Sequence, residues 1–73
     1  MKGGEVFMKL PIRLDHFIQR VGAAQTGGHA KLLIQEGDVR VDGEIETRRR
    51  RMLKGGERIE IDGDEWIVSE KGT

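Results

Sequence analysis

Two stretches of this 73-residue chain carry residue types and spacings that could do chemistry: Thr26-Gly27-Gly28-His29-Ala30-Lys31, and Arg48-Arg49-Arg50-Arg51 followed by Lys54. Both point to anions. Two glycines at a helix start leave backbone N–H groups uncovered where the helix dipole is positive, a geometry that suits a phosphate. Gly28, Lys31 and Gln35 then fall along one polar strip of the helix, so an anion docked at its end finds an amine nearby, with His29 in the same turn. Spacing alone leaves a second reading open, in which the glycines merely permit close helix packing. The stretch is not a P-loop, since GxxxxGK[ST] is absent.

Four consecutive arginines in a strand would point alternately to both faces, and burying one face would bury two guanidinium groups at high cost. The run is therefore expected to cross an edge or a bulge in the open. A charge run can be simply a solvated surface, but planar guanidinium groups beside a hairpin favour bidentate phosphate binding. Arg40, on the polar side of the preceding strand, extends the same patch.

Catalysis finds little to work with. The inventory is His16, His29 and one serine, Ser69, with no Tyr and no Cys, so hydrolytic or nucleophilic catalysis is not expected and no thiolate zinc site can form. The histidines lack HxxxH or HxH spacing and read as solvent-facing. Asp62, Asp64 and Glu65 lack the spread of ligands, over about 12 residues, that a calcium loop needs. We expect a non-catalytic protein with no metal and no cofactor.

The elements that must position these groups fit one small domain spanning residues 1–73. Apolar and charged residues each make up 36% and the formal net charge is zero, which argues against a disordered chain. The balance hides segregation. Residues 1–35 carry five basic and two acidic side chains, 36–47 one and five, 48–54 five and none, and 55–73 two and six. Such blocks suggest a basic face and an acidic face. No apolar run approaches the ~20 residues of a bilayer span, and Met1 to Leu10 lacks a signal-peptide apolar core. A soluble, cytoplasmic protein is expected.

From Arg13 the pattern is helical, with Leu14, Phe17, Ile18 and Val21 forming one apolar stripe and Asp15, His16, Gln19 and Arg20 on the opposite side; Gly22 ends it. A second helix starts at a Thr26 cap and closes at Gly37, burying Ala30, Leu33 and Ile34. The environment of Leu32 stays open. After Gly37 the period is two. Val39 and Val41 lead to an Asp42-Gly43 turn, a strand returns through Ile45 and Thr47, Ile59 and Ile61 lead to Asp62-Gly63, and Trp66 and Val68 close the last strand. Val6 to Met8 adds an edge strand along that C-terminal segment, with Val6 packed and Phe7 a second candidate. The fold class is α+β: two short helices packed on a small twisted antiparallel sheet.

Arg13-Leu14-Asp15-His16-Phe17-Ile18, followed by TGGHAKLLIQEGDVRVDGEIETRRRRML from Thr26 to Leu53, resembles the S-four-type RNA-binding domain, a family named after a small-subunit ribosomal protein. It is most similar to the short, stand-alone bacterial members, whose pattern runs roughly [ST]GGxAKxxIxxGxVxVNGxxExRRGRKL, and the similarity covers about residues 12–61. The resemblance implies two helices on a small sheet, with RNA lying across the helix pair and the neighbouring hairpin. Carried over position by position, it points to Thr26, Gly27, Gly28, Lys31, Arg48, Arg49 and Arg51. Three positions depart: Asp42 stands for the usual turn Asn, Arg50 for Gly and Met52 for Lys. Asp42 still suits its turn, whereas a left-handed bulge at Arg50 would be less comfortable than with Gly.

The residues and the resemblance together give a candidate RNA-binding set of Arg13, Thr26, Gly27, Gly28, His29, Lys31, Gln35, Arg40, Arg48, Arg49, Arg50, Arg51 and Lys54. The expected partner is structured RNA, ribosomal or transfer RNA as in the family, with a role in ribosome assembly or rescue and a monomeric state. Two other readings stand beside it. A DNA-binding helix-turn-helix would need a recognition helix richer in base-reading side chains than Lys31 and Gln35 provide. A protein-interaction module would use the arginine run to dock an acidic partner.

Overall fold

A computed structural model describes residues 3–72; Met1 and Lys2, part of the expected N-terminal edge segment, and Thr73 lie outside the described residues. In chain order the elements are β1 (Gly3–Met8), β2 (Ile12–Arg13), α1 (Leu14–Arg20), α2 (Gly27–Gln35), β3 (Val39–Val41), β4 (Glu44–Ile45), β5 (Met52–Leu53), β6 (Arg58–Ile61) and β7 (Asp64–Glu70). A five-stranded sheet runs in the order β1-β7-β6-β3-β4, and β2 pairs with β5 in a separate two-stranded ribbon.

The alternation of β3, β6 and β7 turns Val39, Val41, Ile59, Ile61, Trp66 and Val68 towards the helices, which answer with Leu14, Phe17, Ile18, Ala30 and Ile34. Because cross-strand partners share a face, the register Val39 to Ile61, Val41 to Ile59 and Ile59 to Trp66 stacks these side chains into one layer. Leu33 is only half-buried, and Leu32 is 56% exposed on α2. Asp42 and Asp62 hold the expected two-residue turns with φ of 52° and 56°, each followed by a left-handed glycine. Asp42 also accepts the Arg58 N–H at 3.0 Å, bonding its turn to β6.

The two-helix α+β arrangement is as expected, with four differences in detail. The sheet is mixed: β1 runs parallel to β7, with Val6 opposite Val68, whereas β3, β4, β6 and β7 pair antiparallel. Orientation follows from the long route between them, since no hairpin forces β1 to run against β7. Phe7 points outward and is 60% exposed, while Met8 is the buried residue of β1. The return strand β4 stops at Ile45, short of Thr47, because Glu46 turns inward there. Asp15, placed on the solvent side of α1 by periodicity, is buried against Arg13.

Deleting residues 1–8 is expected to lower the melting temperature. Met8 alone represents about 1.5–3 kcal/mol of burial, and about 1 kcal/mol moves a domain of this size by roughly 4–8 °C. Thermal unfolding by circular dichroism measures this; an unchanged midpoint would make β1 dispensable.

Candidate nucleic-acid interface

The arginine run is a tight turn. The Arg51 N–H donates to the Arg48 carbonyl at 3.1 Å, placing Arg49 and Arg50 at the corner. Asp42 and Asp62 are the non-glycine residues with positive φ among those described, so Arg50 sits outside the left-handed region and no bulge there asks for glycine. Arg50 therefore stands at the corner at no backbone cost and adds an exposed cation.

The same turn completes α1. A helix start has N–H groups without intrahelical acceptors. Here the Leu14 N–H donates to the Arg51 carbonyl at 2.8 Å and the Asp15 N–H to the Arg49 carbonyl at 3.0 Å. The His16 N–H goes to the Asp15 carboxylate at 2.9 Å. Pairing of Ile12 with Leu53 and of Arg13 with Met52 continues the junction.

Side chains of the run divide into two groups. Glu46 is 5% exposed, facing inward where its N–H meets the Val39 carbonyl at 3.0 Å. Its carboxylate accepts from the Arg48 N–H at 3.0 Å, from Arg48 Nε and Nη2 at 3.1 Å each, and from Arg51 Nη1 at 2.9 Å. The Arg48 hydrogen bonds hold the Glu46 carboxyl at about 2 against a burial that would raise it, with the Arg51 hydrogen bond assisting; in turn the carboxylate pushes Arg48 up. Arg13 is engaged similarly: its Nε and Nη2 reach Asp15 at 3.1 and 2.6 Å. Burial pushes the Asp15 carboxyl up, but the Arg13 hydrogen bonds and charge outweigh it and the net displacement is downward. Arg49 and Arg50 have no carboxylate partner among the described residues.

The amino end of α2 stands open. Thr26 caps it, its hydroxyl accepting the His29 N–H at 3.0 Å, and His29 Nδ1 accepts the Gln25 N–H at 3.3 Å. Within the described residues, the Gly27 and Gly28 N–H groups have no acceptor. Neither glycine has a positive φ, and a methyl group would meet only the Gln19 amide nitrogen at 3.8 Å from Gly27 and the Thr26 hydroxyl at 3.9 Å from Gly28. Close packing of the helices therefore does not account for the glycines.

Helix α1 links the two anion-favouring ends, with the arginine turn at its start and Gln19 beside Gly27 near its finish. His16 and Arg20 are exposed one turn apart on α1. Periodicity put them on the polar side, but their place beside the α2 amino end depends on how the helices cross. Lys31 and Gln35 are exposed on α2, and Lys54 is exposed after β5. Arg40 does not join this surface: its neighbours Val39 and Val41 face the helices, so it lies on the outer sheet face across from Ile45 and Glu60, donating to the Gly43 carbonyl at 3.2 Å.

Because Glu46 titrates lower when folded than when unfolded, its contribution to stability is present above about 4.5 and fades as the pH falls towards about 2. Glu46→Gln is expected to destabilise by about 1.5–3 kcal/mol at neutral pH, the range for hydrogen bonds to a charged group. It should also flatten the loss of stability between pH 4.5 and 2. Urea unfolding at several pH values reads both, and an acid limb as steep as wild type would contradict the clamp.

Residues 7–69 match the S4 domain. YbcJ of Escherichia coli K12 is 35% identical over 52 residues, covering 71% of this chain and 74% of YbcJ, and YbcJ of Shigella flexneri matches to the same extent. The solution structure of E. coli YbcJ, described as revealing an ALFAL motif involved in RNA binding, superimposes with a TM-score of 0.65 at 29% identity, covering 94% of this chain and 87% of that one. The chain is thus a member of the S4 domain family.

Proposed function

We propose that this protein binds structured RNA without catalysing a reaction, through the surface that runs from the arginine turn along α1 to the amino end of α2. The observation that carries this reading is the pairing of two anion-favouring features at the two ends of one helix. These are a corner with two arginines and a helix start with two N–H groups that have no partner among the described residues, the latter on glycines that packing does not require. Membership of the S4 domain family and the RNA-binding motif described for YbcJ support the choice of RNA. Trp66 and Phe17 are buried and the exposed Phe7 lies on β1, so among the described residues the helix surface carries no Phe, Tyr or Trp platform for stacking a single strand. Recognition through shape and phosphates is the better fit. By the family's habits, the ligand is ribosomal or transfer RNA and the setting ribosome assembly or rescue; the protein acts as a monomer in the cytoplasm.

Arg20, Lys31, Arg49, Arg50 and Lys54 are exposed or half-exposed cations on or next to this surface. If about three to five phosphates are engaged, log affinity should fall with log salt at a slope of roughly −2 to −4.5. An A-form RNA hairpin should bind more tightly than a DNA duplex of the same length at matched salt. Fluorescence anisotropy over a salt series measures both. Equal affinities would leave a generic polyanion binder, and tighter binding to acidic proteins than to RNA would move the function to a protein partner.

A further inference from the structure

Between α1 and the loop that leads into α2 lies an open groove of about 320 Å³ lined by His16, Gln19, Arg20 and Gln25. All four are polar, none is a carboxylate, and none belongs to the candidate set read from the sequence. The volume falls at the small end of the ~300–1,000 Å³ range of ligand sites, room for one nucleotide. Resting on the RNA-binding reading above, we infer that this groove receives one unpaired nucleotide extruded from the bound RNA, with its phosphate on Arg20 and its base edge against the amides of Gln19 and Gln25.

Three features lead there. First, the groove adjoins the open start of α2: the Gln19 amide nitrogen is the group that a methyl on Gly27 would meet, at 3.8 Å. A backbone following the Gly27 and Gly28 N–H groups therefore passes the groove mouth. Second, Gln19 and Gln25 offer what a base edge needs. An amide presents a donor and an acceptor together, the pattern that pairs with one face of adenine. Gln19 donates one N–H weakly to the Asp15 carbonyl at 3.3 Å, leaving its oxygen and second N–H available, and the Gln25 side chain has no partner among the described residues. Third, the charge has the right sign. Arg20 is exposed and has no carboxylate partner among the described residues, so a phosphate at the mouth meets no opposing acid in the lining. In an A-form duplex the Watson–Crick edge is occupied by pairing and the N6/N7 edge lies in a deep, narrow groove that side chains cannot read, which is why the groove selects an unpaired base.

The test compares two RNA hairpins of equal length, one fully paired and one carrying a single bulged adenosine, by anisotropy with the full chain. The bulge should raise affinity by about 5- to 100-fold, as one bidentate amide contact would. In the Gln19→Ala, Gln25→Ala double variant that advantage should vanish, leaving the two hairpins equal, while the salt slope for the paired hairpin keeps its wild-type value because neither glutamine carries a charge. Arg20→Gln should flatten the slope for the bulged hairpin by about 0.7–0.9. Circular dichroism confirms that each variant is folded. Equal wild-type affinities for the two hairpins, or a bulge advantage that survives the double variant, overturn the groove and leave RNA binding standing. Failure of both hairpins to bind overturns the functional reading itself, and the groove with it.

Discussion

A buried carboxylate has to be neutralised where it stands, and Glu46 meets that requirement by drawing Arg48 and Arg51 onto itself. Desolvating one carboxylate without partners would cost several kcal/mol. With the backbone N–H and side chain of Arg48 and the Nη1 of Arg51 around it, all four contacts at 2.9 to 3.1 Å, Glu46 stays ionised and the turn between the two arginines is closed. The rest of the interface follows from that closure. The turn's carbonyls become the acceptors for the first N–H groups of α1, so the helix start and the arginine corner are joined by hydrogen bonds. Arg49 and Arg50 are then presented at the corner by geometry that the other two arginines maintain.

The division explains why a run of four identical residues need not act as four identical contacts. Arg51 is two-thirds covered and Arg48 largely exposed, yet both guanidinium groups are held by the same acid. A phosphate would have to compete with a carboxylate already in place, whereas at Arg49 and Arg50 no such competitor exists among the described residues. Arg13, held by Asp15, belongs with the structural group. The zero net charge of the chain is compatible with this picture because acids such as Glu60 and its cross-strand partner Glu65 lie on the outer sheet face with Arg40, away from the helices.

Much of this was legible in the sequence because its signals are local. The Thr26 cap, the Gly37 stop, the two Asp-Gly turns and the alternation of Val39, Val41, Ile59 and Ile61 each involve neighbours along the chain, and each appears where the pattern puts it. What escaped was set by tertiary register. The parallel direction of β1 depends on a chain path with no turn to fix it. The inward turn of Glu46 comes from its place opposite Val39, and only that register brings it to Arg48 and Arg51. Likewise Arg20 and Gln25 are ordinary polar residues in the sequence and acquire meaning only when α1 and the loop before α2 enclose a groove. The absence of positive φ at Arg50 shows that the backbone of this chain makes no demand for glycine at the corner.

The most direct test of the divided arginine turn is the salt dependence of RNA binding for two double variants measured beside wild type. Arg49→Gln with Arg50→Gln should flatten the log–log slope by about 1.4–1.8, the release expected for two phosphate contacts, and leave the melting temperature unchanged. Arg48→Gln with Arg51→Gln should lower the melting temperature, because Glu46 loses its partners, and keep the wild-type slope when binding is measured well below that midpoint. The reverse pattern, with the slope lost in the Arg48 and Arg51 pair and stability lost in the Arg49 and Arg50 pair, would contradict the account.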